Sequence, residues 1–342
     1  MSDPFVSVIV PCRNEAAFIE QSIGSILASD YLGCFEVVVA DGRSTDGTRA
    51  MLQRIAEKDA RLRVIDNPEG LTPVALNLAI AAARGEVILR FDAHAAMPAD
   101  YVRRAVQLLI SWGADNAGGS IRTVAQSEGL LAGPIAAALG SRFGVGGSAF
   151  RTSAGARGAR LADTVFGGCW RREVFARIGG FNEKLARGQD LEFNLRLRRA
   201  GGKIVLDPEI VCDYYARASL ASFWRHNFRN GTWAILPFVL SDVVPVRPRH
   251  LIPLAFVVAL AVSLALPSPW SIAAAASYAV ANISASIQTA LRARKGSYLL
   301  LLPPVFASLH IAYGLGSALG VLKTCLLLAE TGTPKHASRT ET

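Results

Sequence analysis

Short apolar runs rich in β-branched residues alternate with helix-like stretches along the first part of the chain. Four runs stand within its first 91 residues, at 6–10, 36–40, 62–66 and 86–91. Between the first two runs, apolar residues recur on one face of a helix, at Ile19, Ile23, Ile26 and Leu27. This alternation predicts strand–helix units that build a parallel α/β sheet.

Proline and glycine residues mark the expected ends of helices. Pro73 and Pro98 each stand at a position suited to the first turn of a helix, and Gly85 follows an alanine-rich stretch as a stop signal. We therefore expect one helix to begin at each proline and one to end before Gly85.

Three long segments near the end of the chain contain no charged residue, at 251–266, 270–291 and 298–322. Their lengths are close to those of membrane-spanning helices. Pro253 lies in the first segment and Pro303-Pro304 in the third, so a re-entrant or interfacial piece stays an alternative. The expected order is a first domain at 1–232, an interfacial linker at 233–250, a membrane region of two or three transmembrane helices at 251–330, and a polar tail at 331–342.

The composition agrees with a division into two domains. The chain has 342 residues, 51% of them apolar, which is enough for a sizeable core, and its net charge is +9. From Val243 onward, eight Lys or Arg stand against two Asp or Glu, so +6 of the charge lies near the apolar segments. This distribution favours contact with membrane lipids, and we expect no nucleic-acid partner because no recognition motif accompanies the charge.

Basic residues also indicate the side of the membrane. Arg247 and Arg249 precede the first apolar segment and the cluster 292–295 follows the second, which places both on the cytoplasmic side. The apolar run at 5–11 is too short for a secretory signal, so we expect a cytoplasmic first domain. Five scattered cysteines without CxxC spacing fit reduced thiols rather than disulfides or a zinc cluster.

Polar residues follow each of the four predicted strands. They are Arg13, Asn14 and Glu15 after the first strand, residues 41–47 after the second, Asp66 and Asn67 after the third, and Asp92 and His94 after the fourth. Ligands of parallel sheets bind outside the carboxyl ends of the strands. Taken singly, Asp46 fits a common turn and Asp41 a helix cap, but four such loops together predict a binding site.

Several segments together resemble a known family. Residues 6–15, 40–48 and the Asp92 loop are similar to the nucleotide-sugar half of the family 2 inverting glycosyltransferases, which have the GT-A fold. Further segments are similar to the acceptor half in order and spacing, at 166–175, 178–183, 188–192 and 196–208. The resemblance covers about residues 5–233. The layout of the whole chain, with a C-terminal membrane region, is similar to that of the bacterial succinoglycan-type exopolysaccharide glucosyltransferases. It implies a nucleotide-sugar-binding, Rossmann-like, mainly parallel sheet domain followed by C-terminal transmembrane helices.

The resemblance implies a UDP-sugar donor held at the ends of the first two strands. It assigns Asp41 to the uracil, and it places the base and ribose near Pro11, Arg13, Glu15 and Asp46. An alternative is that Arg13 and Arg43 form ordinary surface ion pairs with these carboxylates.

Asp92 stands at the first position of the family's Asp-x-Asp motif. The resemblance implies that its carboxylate ligates a divalent ion that bridges the donor phosphates. His94 replaces the second aspartate. Because imidazole suits Mn²⁺ better than Mg²⁺, manganese is favoured and magnesium is the alternative. A half-buried polar residue without a metal is the other interpretation of His94.

Asp190 matches the catalytic aspartate of the family's Glu-Asp pair, with Gln189 in the glutamate position. It precedes a helix-like stretch at 191–199, where a carboxylate interacts favourably with the helix dipole. Such a carboxylate can accept the proton of an attacking hydroxyl group, as a general base. The alternative is that Asp190 is simply an N-cap.

Two arginine-containing segments are less distinct. Residues 223–233 loosely resemble the Gln-x-x-Arg-Trp segment that contacts the diphosphate in relatives, which makes Arg225 and Arg229 candidates for phosphate contact. Residues 141–160 are rich in Gly, Ala and Ser and contain four arginines, among them Arg151. Their composition predicts a mobile basic loop without packed structure. This loop either orders over the UDP-sugar, contacts the diphosphate of a lipid-linked acceptor, or is a solvated variable loop.

These residues favour one function over several others. We expect a membrane-anchored, metal-dependent inverting glycosyltransferase at the bacterial inner (plasma) membrane. It would transfer one sugar, glucose from UDP-glucose, to an undecaprenyl diphosphate-linked saccharide. The enzymatic alternatives are a processive polysaccharide synthase and a polyprenyl-phosphate sugar transferase. An alternative of another class is a non-catalytic nucleotide-sugar-binding membrane scaffold.

Overall fold

A computed structural model of the chain describes residues 3–125, 129–216, 219–266 and 268–331. They form two compact units, the first within Met1–Arg122 and Ala149–Tyr214 and the second within Thr123–Ser148 and Tyr215–Thr342. This division differs from the expected boundary after residue 232. Residues 123–148 and 215–232, which were expected in the first domain, belong to the second unit. The reason is that their apolar residues pack against its C-terminal helices. The expected polar tail lies outside the described residues, apart from residue 331.

The strands of the described residues are β1 (Val6–Cys12), β2 (Phe35–Asp41), β3 (Leu62–Asp66), β4 (Val87–Arg90), β5 (Ala95–Ala96), β6 (Asn116–Ala125), β7 (Arg160–Leu161), β8 (Cys169–Arg171) and β9 (Ile204–Ala216). The helices up to the last strand are α1 (Ile19–Leu27), α2 (Thr48–Ala56), α3 (Thr72–Ala82), α4 (Tyr101–Ser111), α5 (Ala132–Leu139), α6 (Arg142–Val145), α7 (Ala149–Thr152), α8 (Glu173–Ile178) and α9 (Gln189–Arg199). After β9 follow α10 (Leu220–Ile235), α11 (Pro237–Leu240), α12 (Pro248–Ala265), α13 (Pro269–Ala293) and α14 (Tyr298–Thr331).

The strands form one sheet in the order β3-β2-β1-β4-β8-β6-β9-β5, with β7 paired to β9. The first four strands of this order pair in parallel, as the alternation of strands and helices predicts. From β8 onward the sheet is mixed, because β8 pairs antiparallel with both β4 and β6. The expectation of a mainly parallel sheet therefore holds only for its first half.

The strands in the second half of the sheet were hard to predict from the sequence pattern, because glycine is a poor strand former. Strand β6 contains Gly118 and Gly119. A Cβ atom on Gly119 would lie 2.1 Å from the carbonyl oxygen of Ile210 in β9. Glycine is thus required here by the close approach of a neighbouring strand.

The core of the first unit covers both faces of the parallel strands. On one face Val8, Val37 and Leu89 pack against helix α1, and on the other face Ile9, Val38 and Ile88 pack against helix α3. Burial on both faces explains why these strands are continuous apolar runs rather than alternating ones. The carboxyl ends of β1, β2 and β4 are consequently held at one edge by a rigid layer.

The expected helix boundaries are partly confirmed. Pro73 stands in the first turn of α3, as predicted. Pro98 does not begin a helix, because α4 starts at Tyr101 and follows Asp100. Gly85 lies beyond the end of α3, and a Cβ atom there would lie 2.5 Å from the backbone nitrogen of Ser7. Gly85 is therefore needed for close packing against β1.

Helices dominate the second unit, and α10 packs directly on α14. A Cβ atom on Gly231 would lie 1.9 Å from the carbonyl oxygen of Tyr313, and one on Gly316 would lie 1.9 Å from that of Phe228. The Ser317 hydroxyl also donates to the Gly231 carbonyl oxygen at 3.3 Å. Small residues thus bring the two backbones into contact, which is a common way to join helices in membranes.

Two helices among the described residues are long and apolar enough to cross a membrane, at Pro248–Ala265 and Tyr298–Glu330. Helix α14 continues through Pro303 and Pro304, so the prolines do not create a re-entrant break there. Helix α13 coincides with the second predicted segment but is not among the candidate spans. The described residues therefore contain two such candidates, and the number of membrane crossings stays a prediction.

Candidate active site

The loops that follow β1 and β2 are bound to each other by hydrogen bonds. The Asn14 backbone N–H donates to the Ser44 hydroxyl at 2.9 Å, and the Thr45 N–H donates to the Asn14 side-chain oxygen at 2.8 Å. The Glu15 N–H donates to the Thr48 hydroxyl at 2.9 Å. We call these two connections the β1–β2 loops. Folding alone fixes their relative position.

Two of the predicted donor-binding residues help to fix these loops. Asp41 has no exposed surface, and its carboxylate accepts hydrogen bonds from the Ser44 hydroxyl at 2.6 Å and the Ser44 N–H at 3.3 Å. Asp46 accepts from the Ala16 N–H at 3.1 Å and from the Thr48 N–H at 3.1 Å. Asp41 does not cap α2, whose N-cap residue is Gly47. Both carboxylates are therefore bound by their own chain.

Arg13 and Pro11 lie at the same edge of the sheet. Pro11 pairs with Ala40 in the strand register, and an Arg13 N–H donates to the Gly70 carbonyl oxygen at 3.2 Å. Neither Arg13 nor Arg43 forms an ion pair with a carboxylate within the described ranges. Instead, Asp41 lies 3.6 Å from Arg49, a residue that sequence reasoning missed. The alternative of ion pairs with Arg13 and Arg43 is thus not found.

A second group of charged residues lies where β4 ends. The Arg90 guanidinium donates from Nη2 to Asp92 Oδ1 at 3.0 Å. Arg90 is 8% exposed, and its Nε has no hydrogen-bond partner within the described part of the chain. Burial alone would raise the pKa of Asp92, but the neighbouring cations, Arg90 above all, outweigh it and lower that pKa. Asp92 is therefore an ionised carboxylate at neutral pH.

His94 is held by two protein groups. Its Nδ1 lies 3.2 Å from Glu15 Oε1, and its Nε2 lies 3.0 Å from the Tyr214 hydroxyl. Burial alone would lower the pKa of His94, but the neighbouring tyrosine and carboxylates favour the protonated ring and raise its pKa to about 10. Both ring nitrogens thus have a protein partner among the described residues. The ligand role of His94, and the preference for Mn²⁺ that depends on it, stay predictions.

The donor set at Asp92 fits one kind of metal site. Within the described residues, no group of three or more His, Cys, Asp or Glu side chains is arranged to hold an ion. Asp92 is 19% exposed, and only its Oδ1 is bound by Arg90. One carboxylate oxygen fits a divalent ion whose other ligands are substrate phosphates and water, which is the usual arrangement for Mg²⁺.

Asp190 lies at the start of α9 but is not its N-cap. The N-cap residue is Gly188, with φ of 74°, and Asp190 is the second helical residue. The N-cap alternative is therefore wrong. Burial alone would lower the pKa of Arg90, but the charges of Asp92 and Asp190 outweigh it and raise that pKa. Arg90 thus interacts electrostatically with both carboxylates, of which Asp92 is predicted to bind metal and Asp190 to act in catalysis.

Neighbouring acidic and basic residues of α9 are structural. Glu192 is buried and accepts two hydrogen bonds from Arg196, at 2.7 and 3.0 Å. Arg196 also donates to the carbonyl oxygens of Ile178 and Gly180. Glu192 is therefore committed to holding the start of α9, which leaves Asp190 as the carboxylate of this helix that can act on a substrate.

Sequence reasoning missed two residues of this second group. Arg90 had a visible signal, since it is a charged residue inside an apolar strand. Tyr214 had none, because it comes from a distant part of the chain. Arg151 was noted within the basic segment at 141–160 but was not connected with the end of β4. Arg151 lies over the Tyr214 ring, 5.4 Å from its centroid. The segment at 141–160 was expected to lack packed structure. It instead contains α6, α7 and the start of β7.

Arg225 and Arg229 belong to the second unit. They are exposed residues of α10, one helical turn apart. The opposite face of this helix buries Phe223, Asn227 and Gly231. Their predicted contact with a diphosphate stays a prediction.

Comparison with known proteins identifies the family. The family model described as "Glycosyl transferase family 2" matches residues 7–177, half of the chain. The chain belongs to glycosyltransferase family 2. This glycosyltransferase is 35% identical over 251 residues to the succinoglycan biosynthesis protein ExoA of Rhizobium meliloti, a match that covers 72% of this chain and 74% of that protein.

A second relative is a transferase of Methanococcus voltae. The dolichyl N-acetyl-alpha-D-glucosaminyl phosphate 3-beta-D-2,3-diacetamido-2,3-dideoxy-beta-D-glucuronosyltransferase of Methanococcus voltae is 26% identical over 236 residues. The match covers 66% of this glycosyltransferase and 72% of the archaeal protein.

Solved structures agree on the fold. The mannosyltransferase PcManGT from Pyrobaculum calidifontis, solved in complex with GDP-Man and Mn²⁺, has a TM-score of 0.56 at 24% identity and covers 93% of this chain and 87% of its own. TarS of S. aureus has a TM-score of 0.50 at 18% identity and covers 97% and 92%. The glycosyltransferase therefore has the GT-A fold, with two C-terminal apolar helices as candidate membrane spans.

Proposed function

We propose that this glycosyltransferase is a membrane-anchored, metal-dependent inverting enzyme of exopolysaccharide or cell-surface glycan synthesis. It transfers one sugar, glucose from UDP-glucose, to an undecaprenyl diphosphate-linked saccharide. Its first unit works on the cytoplasmic side of the bacterial inner membrane. The observation that carries this proposal is the position of the Arg90 guanidinium, which binds Asp92 and interacts electrostatically with Asp190.

That arrangement supports two different roles for two carboxylates. Asp92 faces the donor phosphates with its free oxygen, and a divalent ion bound there would neutralise charge on the departing nucleoside diphosphate. Asp190 accepts the proton of the acceptor hydroxyl while the hydroxyl oxygen bonds to the anomeric carbon and the bond to the diphosphate breaks. Attack from the face opposite the leaving group inverts the anomeric configuration.

The β1–β2 loops supply the nucleotide side of the proposed site. Pro11, Arg13 and Glu15 line the base and ribose, and the uracil lies at Asp41 and its partner Ser44. Asp46 acts through the loops, because its carboxylate holds the Ala16 and Thr48 N–H groups. The support for this role is that these loops are already fixed before a nucleotide binds, which lowers the entropy lost on binding.

The second unit supplies the membrane side of the proposal. Helices α12 and α14 anchor the enzyme by their length and apolar composition. Arg225 and Arg229, on the exposed face of α10, bind substrate phosphate. The relative ExoA is named for succinoglycan biosynthesis, which supports a role in exopolysaccharide synthesis. The name of the Methanococcus voltae relative contains a dolichyl sugar phosphate, which supports a saccharide acceptor carried by a lipid. Two candidate spans offer little material for a translocation pore, which favours transfer of a single sugar over processive synthesis.

A release assay tests this proposal. Detergent-purified protein is incubated with a panel of UDP- and GDP-sugars and a bacterial lipid-linked oligosaccharide extract, with Mg²⁺, Mn²⁺ or EDTA, and nucleoside diphosphate release is measured. We expect release with UDP-glucose in either metal, none in EDTA, and a β-linked product on the lipid fraction. Release with another donor would correct the sugar. Release that persists in EDTA would exclude the metal-dependent mechanism.

A further inference from the structure

Arg151 is a half-buried cation of the first unit that has no anionic partner within the described part of the chain. It lies in α7, and its guanidinium carbon is 5.3 Å from the Phe150 ring centroid and 5.4 Å from the Tyr214 ring centroid. No hydrogen bond or ion pair of this guanidinium joins it to residues of the described ranges 3–125, 129–216, 219–266 and 268–331. Five N–H donors are thus left for another group.

Three other arginines of the same unit are paired with carboxylates. Arg104 lies 3.2 Å from Asp207, and Arg122 lies 2.7 Å from Asp213. Arg196 is bound by Glu192 at 2.7 Å. A guanidinium that is partly removed from water and has no carboxylate loses hydration without compensation. The two aromatic rings recover part of this loss through cation–π contact, but they leave the N–H edge unpaired.

The surroundings of Arg151 are those of the candidate active site. The hydroxyl group of Tyr214, whose ring lies under Arg151, is hydrogen-bonded to His94 Nε2 at 3.0 Å, and His94 stands two residues after Asp92. The positive charge of Arg151 is also among the causes that lower the pKa of Asp92. Arg151 therefore lies on the Tyr214 side of the β4 end, whereas Arg90 binds Asp92 directly.

We propose that Arg151 binds a substrate phosphate in the active site, with its plane fixed by Phe150 and Tyr214. The guanidinium group is planar, and its fork of N–H groups has the geometry for bidentate contact with phosphate oxygens. The contacts with the two rings restrict the direction of this fork. The phosphate that we favour is the β-phosphate of the nucleoside diphosphate, because Asp92 faces the same group. This inference rests on the proposed function and adds a residue that holds the leaving group.

Binding of nucleotides tests the proposal directly. The dissociation constants of UDP and UMP with Mg²⁺ are measured by calorimetry for the full-length wild type, Arg151→Gln and Arg151→Lys. We expect Arg151→Gln to weaken UDP binding about tenfold and UMP binding less than about twofold, since only UDP has the β-phosphate. Arg151→Lys restores only part of the affinity, because lysine keeps the charge but loses the planar fork.

Arg84→Gln is the matched control. Arg84 is an exposed arginine of the same unit that precedes β4, at the opposite end of the strand from Asp92. This variant loses the same charge and should keep the wild-type affinities. The melting temperature of every variant shows whether it is folded.

Different results separate the possible failures. Unchanged UDP affinity with an approximately tenfold higher KM for the lipid-linked acceptor would assign Arg151 to the acceptor diphosphate, and the phosphate-binding role would stand. Equal weakening of UDP and UMP together with a lower melting temperature, or no change in any constant, would overturn it. If the wild type binds no nucleoside diphosphate, the proposed function itself fails.

Discussion

Two groups of polar residues in the first unit differ in what their atoms bind. In the β1–β2 loops, Asp41 and Asp46 accept hydrogen bonds from nearby backbone and hydroxyl groups. At the end of β4, Arg90 has an unpaired Nε within the described residues, and Asp92 keeps one oxygen that Arg90 does not bind. The carboxylates of the first group are thus bound by their own chain, whereas the second group keeps polar atoms without a partner among the described residues.

This difference predicts where substitutions act. Removing a group that satisfies buried donors costs stability, because the donors are left unpaired. Removing a group that meets only the substrate costs turnover or affinity and leaves the fold intact. The β1–β2 loops should therefore respond mainly in stability, and the β4 group mainly in activity, with Arg90 contributing to both.

The largest expected effect is that of Asp190→Asn on catalysis. Because the amide cannot accept the acceptor's proton, we expect kcat to fall roughly 10²–10⁴-fold while the dissociation constant of UDP stays the same. Steady-state kinetics and calorimetry measure the two quantities. A variant that retains turnover would remove Asp190 from the mechanism, and a wild type that binds UDP-sugar without turnover under any acceptor would favour the scaffold alternative.

Arg90→Gln should affect both stability and activity. It leaves the partly buried carboxylate of Asp92 without its cation, which destabilises the fold by about 3 kcal/mol. Chemical denaturation and the metal concentration for half-maximal activity are measured, and Arg90→Lys should recover part of both. The control is Arg103→Gln, which removes an exposed pair with Asp30 and should leave stability unchanged. Equal effects of the two substitutions would contradict a special role for Arg90.

Asp46→Asn should act on the fold more than on the chemistry. The amide offers one acceptor oxygen where the carboxylate offers two, so either the Ala16 or the Thr48 N–H loses its partner. Because Asp46 is exposed and water can replace the lost bond, the cost is about 1 kcal/mol or less. The unfolding free energy measures this, and kcat at saturating donor should change little. A large fall in kcat at unchanged stability would instead place Asp46 against the substrate.

The smallest expected effect concerns the choice of metal. Since Glu15 and Tyr214 occupy both ring nitrogens of His94, His94→Gln should leave the ratio of Mn²⁺-supported to Mg²⁺-supported kcat within about twofold of the wild type. Metal titrations of both proteins give this ratio. A selective loss of Mn²⁺-supported activity would restore the predicted ligand role of His94.

Local sequence patterns predicted the parallel strands, helix α1 and the C-terminal helices. The apolar runs predicted the four parallel strands, and the spacing of Ile19, Ile23 and Ile26 predicted α1, because both depend on burial along a short stretch. The boundary of α4 was wrong, since Pro98 begins a turn rather than the helix. The uncharged segments predicted the C-terminal helices, although composition alone did not show that α10 packs on α14.

The sequence by itself determined the family, the four parallel strands and the acidic residues at their ends. These follow from the chemistry of single segments. The tertiary structure decided which groups those residues meet. In the tertiary structure Asp41 accepts a hydrogen bond from Ser44, and His94 contacts Glu15 and Tyr214. Arg151 lies over the Tyr214 ring at the same edge of the sheet. The physical reason is that hydrogen-bond partners are set by which loops the sheet brings together, and residues 15, 94, 151 and 214 are far apart along the chain.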